Sequence, residues 1–339
     1  MLIAGCGYVG AVLAGQLAAD GHRVLGLRRQ PKGLSAAVVP VAADLGDGAG
    51  LAVAIDAAAE GPVDALIYAA APDGSADDAY RAVYVDGLRR VLDVVVRRGE
   101  PLRCVLFASS TSVYGQRAGE WVDEESATEP RDFRGARMLE AERVLLESGL
   151  PTTAVRLGGI YGPGRTRLVE SVRDGRAQAR RGHYTNRIHR DDAAGALRHL
   201  FALALGGEPL APIYLGVDDD PADEATVVQW LAERLAVEPS PLRQPERPEY
   251  RPAPAERARA ASAASEVNRF ARSEAKPSEV DQDVLQLSNP IGRRPIRAAS
   301  AASEVNRRCR NGRLRATGYR FRFPTFREGY AALLTSPGS

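Results

Sequence analysis

Apolar and polar positions follow two alternating rhythms along the first 160 residues. Short apolar runs at 2–4, 24–27, 38–43, 65–70, 105–108 and 152–156 read as strands. Most are apolar throughout, the pattern of strands covered on both faces. Between them lie stretches with helical spacing. The first places Val9, Val12, Leu13 and Leu17 on one face, and others span 51–60, 79–98 and 133–148. Regular strand–helix alternation predicts an α/β fold, a doubly wound parallel sheet with helices on both faces. In such sheets ligands bind at the carboxyl ends of the strands.

The junction between the first strand and first helix is Gly5-Cys6-Gly7-Tyr8-Val9-Gly10. A Gly-x-Gly-x-x-Gly turn between strand and helix is the phosphate-binding fingerprint of the Rossmann fold. Gly5 would permit the tight turn, Gly7 would let the backbone approach a pyrophosphate, and Gly10 would let helix and strand lie close. The free N–H groups and positive dipole end of the helix would face the phosphates. Tyr8 and Val9 belong to the same turn. A glycine-rich turn of another α/β protein is the plainer alternative. The first strand, Leu2–Ala4, is short against a usual five or six residues.

Length and charge refine this picture. The 339 residues are 45% hydrophobic, enough for one large domain or two modest ones. Cys6, Cys104 and Cys309 have no metal-ligand spacing and form no disulfide framework, which fits a reducing cytoplasm. The expectation is no bound metal. No apolar run approaches a membrane span, and the apolar N-terminus lacks the basic region of a signal peptide. Residues 251–322 hold 16 Lys+Arg and 7 Asp+Glu, a surplus of +9, so the remainder carries −7 of the overall +2. No nucleic-acid motif accompanies this basic stretch, so a solvated Arg-rich segment is favoured over a nucleic-acid site. It also contains a perfect repeat: the eleven residues from Arg259 to Arg269 recur from Arg297 to Arg307. Two copies do not make a solenoid. We read 251–307 as a low-complexity, disordered insertion. Residues 1–165 form the expected nucleotide-binding domain, and 166–250 with 308–335 a small C-terminal substrate-side part.

Four further segments occur in order: Tyr84 to Leu92, Ser109-Ser110-Thr111-Ser112-Val113-Tyr114-Gly115, Arg156 to Arg165, and Ile188-His189-Arg190-Asp191-Asp192. With the glycine turn and the closing segment from Arg313 to Phe321, the chain resembles the extended short-chain dehydrogenase/reductase family, also called the NAD-dependent epimerase/dehydratase family. The resemblance covers 1–235 and 308–335. It implies an NAD(P)-dependent epimerase/dehydratase-like or reductase-like protein acting on a small polar, nucleotide-sugar-like substrate, and a homodimer.

By position, the resemblance makes Ser110 the catalytic hydroxyl and Asp44-Leu45 the adenine contact. Ala69 and Ala70 would lie under the adenosine ribose and pyrophosphate, and the loop from Tyr161 to Gly164 would close over the nicotinamide side. A satisfied strand-end serine is the bland reading of Ser110. Where an NAD-preferring member carries an acidic residue, this chain has Arg28-Arg29. Guanidinium suits a 2′-phosphate, so NADP is favoured over NAD. The family's Tyr-x-x-x-Lys pair is absent, because the matching residues are Phe133 and Arg137. Phe133 cannot transfer a proton, although Arg137 could still hold a ribose. Tyr114 is a substitute acid, with a packing tyrosine as the alternative. This resembles the atypical branch of the family, which leaves a non-catalytic NADP(H)-binding regulator or sensor as the second functional reading. Asp191 and Asp192 are read equally as helix capping or substrate contacts. Arg167, Arg173, Arg176, Arg180 and Arg181 suggest an anionic substrate. The glycine turn also resembles nucleotide-sugar 6-dehydrogenases, but no cysteine lies in their glycine-flanked motif.

Overall fold

A computed structural model describes residues 1–238 and 305–335. The repeat's first copy and most of 251–307 lie outside these residues. Seven strands form one parallel sheet: β1 (Leu2–Ala4), β2 (Val24–Arg28), β3 (Val38–Ala42), β4 (Ala65–Tyr68), β5 (Cys104–Ser110), β7 (Thr152–Leu157) and β10 (Ile213–Gly216). Their order is β3-β2-β1-β4-β5-β7-β10, with the chain reversing direction across the sheet between β1 and β4. All six pairings are parallel. Ile3 faces Gly26 on one side and Ile67 on the other, so three residues suffice to seat β1 in the middle of the sheet.

Successive side chains of a strand point to opposite faces, which yields two cores. Leu2, Leu66 and Phe107 pack under helices α2 (Gly48–Ala58), α4 (Leu88–Arg97) and α5 (Phe133–Leu146) through Leu51, Val91 and Leu145. Ile3, Ile67 and Leu106 pack under α1 (Gly10–Ala19) and α7 (Arg190–Leu205) through Leu13, Leu17, Leu197 and Leu200. Leu13 and Leu17 face the core as their spacing predicts, whereas Val12 is only half-buried. This is the doubly wound arrangement the pattern predicts. A third core joins Tyr161, Val169 of α6 (Arg167–Arg173), and Val228 and Leu231 of α8 (Glu224–Leu235). The C-terminal helix Phe326–Thr335 closes it through Phe326 and Tyr330.

The long helix read over 79–98 is not regular. It starts as α3 (Asp77–Tyr80), widens into a π-helical turn (Arg81–Gly87), then continues as α4. Such turns often mark functional sites. Two short parallel pairs complete the fold: β8 (Gly159–Tyr161) with β9 (Arg187–His189), and β6 (Glu120–Val122) with β11 (Arg307–Cys309). Residues 305–307 therefore correct the boundary drawn for the insertion. Arg307 is a buried strand residue, and Asn306 bonds to Gly182, Tyr184, Gln116 and Gly119. Composition alone could not show that Arg307 belongs to a paired strand.

Asp192 is 1% exposed and accepts bonds from the Arg322 and Phe323 amides and the Tyr319 hydroxyl. It fastens the C-terminal segment onto α7. His189 caps α7 by accepting from the Asp191 amide. The Asp191 carboxylate accepts from Arg190 at 3.0 Å and lies 3.6 Å from Arg322, so both aspartates are engaged within the protein, and neither lines the two cavities described below.

Candidate cofactor cleft and active site

The glycine turn shows three separate constraints. Gly5 has φ +97°, and a Cβ there would lie 2.2 Å from the Ala70 amide nitrogen. A Cβ on Gly10 would lie 2.2 Å from the Gly5 carbonyl oxygen. At Gly7 a Cβ would meet nothing within 4 Å, so its bare backbone faces open space. The amides of Gly5 and Cys6 both donate to the Leu27 carbonyl at 2.9 Å, tying the turn to β2. Helix α1 begins at this turn without a side-chain cap. Its first N–H groups remain available to an anion.

A cleft of about 940 Å³ opens over this turn, at the carboxyl ends of the strands. Gly5, Gly7, Tyr8 and Val9 line one wall, while Gly10 stays packed behind them. Arg28, Arg29, Asp44 and Leu45 line one end, Ala69 and Ala70 the middle, and Ser110 the far side. Arg29 is ion-paired with Asp73. Arg28 makes only a 3.5 Å contact with the Lys32 carbonyl. Asp44 accepts from the Gly46 amide at 2.7 Å, which shapes the turn after β3. Ser110 is half-buried, and its Oγ accepts from the Ser112 amide at 3.1 Å. That bond leaves the hydroxyl proton free for a ligand.

Behind Ser110 lies a buried polar network. Arg156 is 5% and Glu142 2% exposed. Two guanidinium nitrogens donate to the Glu142 carboxylate at 3.0 and 2.8 Å. Ser109 donates to the same carboxylate at 2.5 Å. Arg156 also donates to the Tyr114 hydroxyl at 2.6 Å, and Tyr114 donates to the Asp123 carbonyl at 2.7 Å. The network clamps the end of β5, the segment that carries Ser110.

It also corrects the expectation for Tyr114. This residue is fully buried, does not line the cleft, and both bonds of its hydroxyl are internal. Burial pushes its phenol up to about 12, with Arg156 pulling down. Tyr114 is a network member, not a proton donor to the cleft. Arg137 is corrected too. Its guanidinium grips Asp77 through two bonds of 2.7 and 2.9 Å and Glu140 at 2.7 Å. It does not line the cleft. Phe133 packs edge-on against Tyr80, ring centroids 5.5 Å apart.

Other residues line the cleft that sequence reasoning did not single out. The π-helical turn brings Val83 and Tyr84 to its wall. The Tyr84 hydroxyl bonds to no other described residue. Burial pushes it up to about 12, and the nearby Arg165 guanidinium opposes the shift. Arg165 also lines the cleft, its guanidinium carbon 4.0 Å from the centre of the Tyr8 ring. The Tyr8 hydroxyl is buried without a partner. Tyr84 lies in a quoted motif, but helical spacing could not show the widened turn that aims it. Of the arginines between 167 and 181, four are exposed, and Arg180 is held by Glu224 at 3.3 Å. None of them lines this cleft or the smaller cavity beside it.

Asp218 is 2% exposed, and its Oδ2 has no partner. Burial pushes its carboxyl up to about 8, with Arg187 pulling down. Because the folded value lies above the ordinary 3.8, this group's contribution to stability is complete below 3.8 and is lost as pH rises through about 8. Asp218→Asn removes that slope. Relative to the parent, the variant should gain about 1–3 kcal/mol between pH 5 and 8, read by urea melts. Parallel pH profiles of parent and variant would contradict this.

A doubly wound parallel sheet with an open glycine turn facing a large cleft defines a dinucleotide-cofactor class of protein. The chain belongs to the NAD dependent epimerase/dehydratase family, whose sequence pattern matches residues 1–190. Protein YeeZ of Escherichia coli K12 is 30% identical over 224 residues, covering 60% of this chain and 74% of that protein. A candidate NAD-dependent epimerase/dehydratase from Methylobacillus flagellatus is 31% identical, with a TM-score of 0.69 and coverage of 98% of this chain and 96% of that one. WbmG of Bordetella bronchiseptica, solved in complex with NAD, shares the fold at 18% identity, with a TM-score of 0.60 and coverage of 73% and 81%. Among the described residues, no helix is long and apolar enough to cross a membrane.

Proposed function

We propose that this protein is an NADP(H)-dependent oxidoreductase or epimerase acting on a small polar substrate. The observation that carries the reading is one cleft that holds both the open Gly7 backbone and the free Ser110 hydroxyl. The residues fit a dinucleotide: Gly7 and the start of α1 would hold the diphosphate, and Asp44 and Leu45 the adenosine side. Arg28, which has no carboxylate partner among the described residues, would meet a 2′-phosphate. When bound, the nicotinamide supplies the hydride donor or acceptor.

The chain's own residues do the rest. Ser110 donates a hydrogen bond to a substrate oxygen. Tyr84 replaces the missing Phe133 hydroxyl. Geometry alone supports this role, since its unpartnered hydroxyl lines the cleft; the raised value keeps it protonated at neutral pH but makes it a weaker acid than an ordinary phenol. Three buried free cysteines support a reducing, cytoplasmic setting. Nucleotide sugars lead the screen, since MoeE5, which shares the fold, has been solved with UDP-glucose and NAD.

Fluorescence titration should show NADPH binding about tenfold or more tighter than NADH, with the preference lost in Arg28→Ala. Ser110→Ala should lower turnover by roughly 10²-fold or more. Equal binding of the two nucleotides removes the Arg28 argument, and unchanged turnover removes Ser110. The absent tyrosine at position 133 favours a second reading, a non-catalytic NADP(H) sensor. Tight NADPH binding with no turnover across the nucleotide-sugar panel would select it.

A further inference from the structure

A second cavity, of about 350 Å³, shares a wall with the cleft. Thr111, Gly159 and Tyr161 line it, while their chain neighbours Ser110, Gly158 and Ile160 line the first. Two arginines face it, Arg187 of β9 and Arg307 of β11, each only 9% exposed. Neither forms an ion pair with a carboxylate among the described residues. Their partners are neutral. Arg307 donates to the Thr111 carbonyl at 2.5 Å and lies beside the Cys309 thiol. Arg187 reaches the Thr185 carbonyl at 3.4 Å and lies beside the Tyr330 hydroxyl. The Arg307 Nε and the Tyr161 hydroxyl are both buried with no partner. Asp218 acts on Arg187 through space but makes no ion pair with it, and burial pushes its carboxyl up to about 8.

Buried cations are ordinarily paired, because taking a charge from water without a partner is costly. Here two such cations and an orphaned hydroxyl line one small space. We propose that the second cavity binds a small oxyanion, a carboxylate or phosphate group carried by the substrate, through Arg187, Arg307 and the Tyr161 hydroxyl. Guanidinium forks match either group in bidentate fashion. The assignment of the anion to the substrate rests on the reading of the neighbouring cleft as the cofactor site. The anionic character expected from the exposed arginines thus reappears on different residues, buried ones.

The test is a thermal melt of the full chain without nucleotide, at fixed ionic strength, titrated with inorganic phosphate, malonate or chloride. Phosphate or malonate should raise Tm by roughly 2–3 °C at ten times its Kd, and chloride should not. The more effective of the two identifies the group. Arg187→Met and Arg307→Met should each weaken that response about tenfold or more, while the Arg187 variant's Tm without anion holds or rises. Two variants are needed because Arg307 also anchors β11. A response that survives both substitutions, or no response beyond that of chloride, overturns the proposal. Because no nucleotide is present, either result is independent of the NADPH titration.

Discussion

Glu142→Ala should destabilise the protein by about 3–5 kcal/mol, the usual effect of stranding one charge of a buried pair. Arg156 would keep its burial and lose both of its short bonds to a carboxylate. Ser109 would lose its acceptor as well. Urea denaturation at neutral pH reads the loss directly. Glu142→Gln retains volume and acceptor oxygen and should cost less. Because Ser109 adjoins Ser110, the alanine variant should also loosen the end of β5 and depress turnover beyond the fraction unfolded. A loss below about 1 kcal/mol would mean that Arg156 finds water, and that the network does not clamp β5.

Gly5→Ala should remove nucleotide binding altogether. Its φ of +97° is one that alanine rarely adopts, and its Cβ would stand 2.2 Å from a backbone atom of Ala70. Neither party is a flexible side-chain end, so the turn or the end of β4 must shift. We expect a stability loss of about 2–3 kcal/mol and at least a hundredfold weaker NADPH binding. Gly7→Ala is the control. Nothing lies within 4 Å of its new Cβ, so melting should be unchanged while nucleotide binding weakens. Normal NADPH binding by both variants would make the turn purely structural.

Features carried by local spacing are legible in the chain itself. Apolar runs a few residues long mark the strands, and the glycine spacing marks where the cleft opens. The bounds of β4 and β5 differ from those runs by one to two residues, without changing the topology. Residues whose meaning depends on distant partners are less legible. Arg137 sits on the expected helix, but its guanidinium is taken by Asp77, 60 residues earlier in the chain. Tyr114 follows Ser110 closely, yet Arg156 and Asp123 draw its hydroxyl inward.

The chain by itself determined the parallel sheet, the glycine turn and the lack of a Tyr-x-x-x-Lys pair, because each is written in contiguous residues. Only tertiary structure decided which ionisable groups face empty space. Tyr84 reaches the cleft through a widened helical turn, which apolar periodicity does not encode. Arg187 and Arg307 share a cavity because β9 pairs with β8 and β11 with β6. The conspicuous arginine run between 167 and 181 is largely solvated, while two arginines outside it are buried and form no ion pair among the described residues. A side chain's charge is a property of the sequence, but whether water, a carboxylate or a ligand answers it is set by packing.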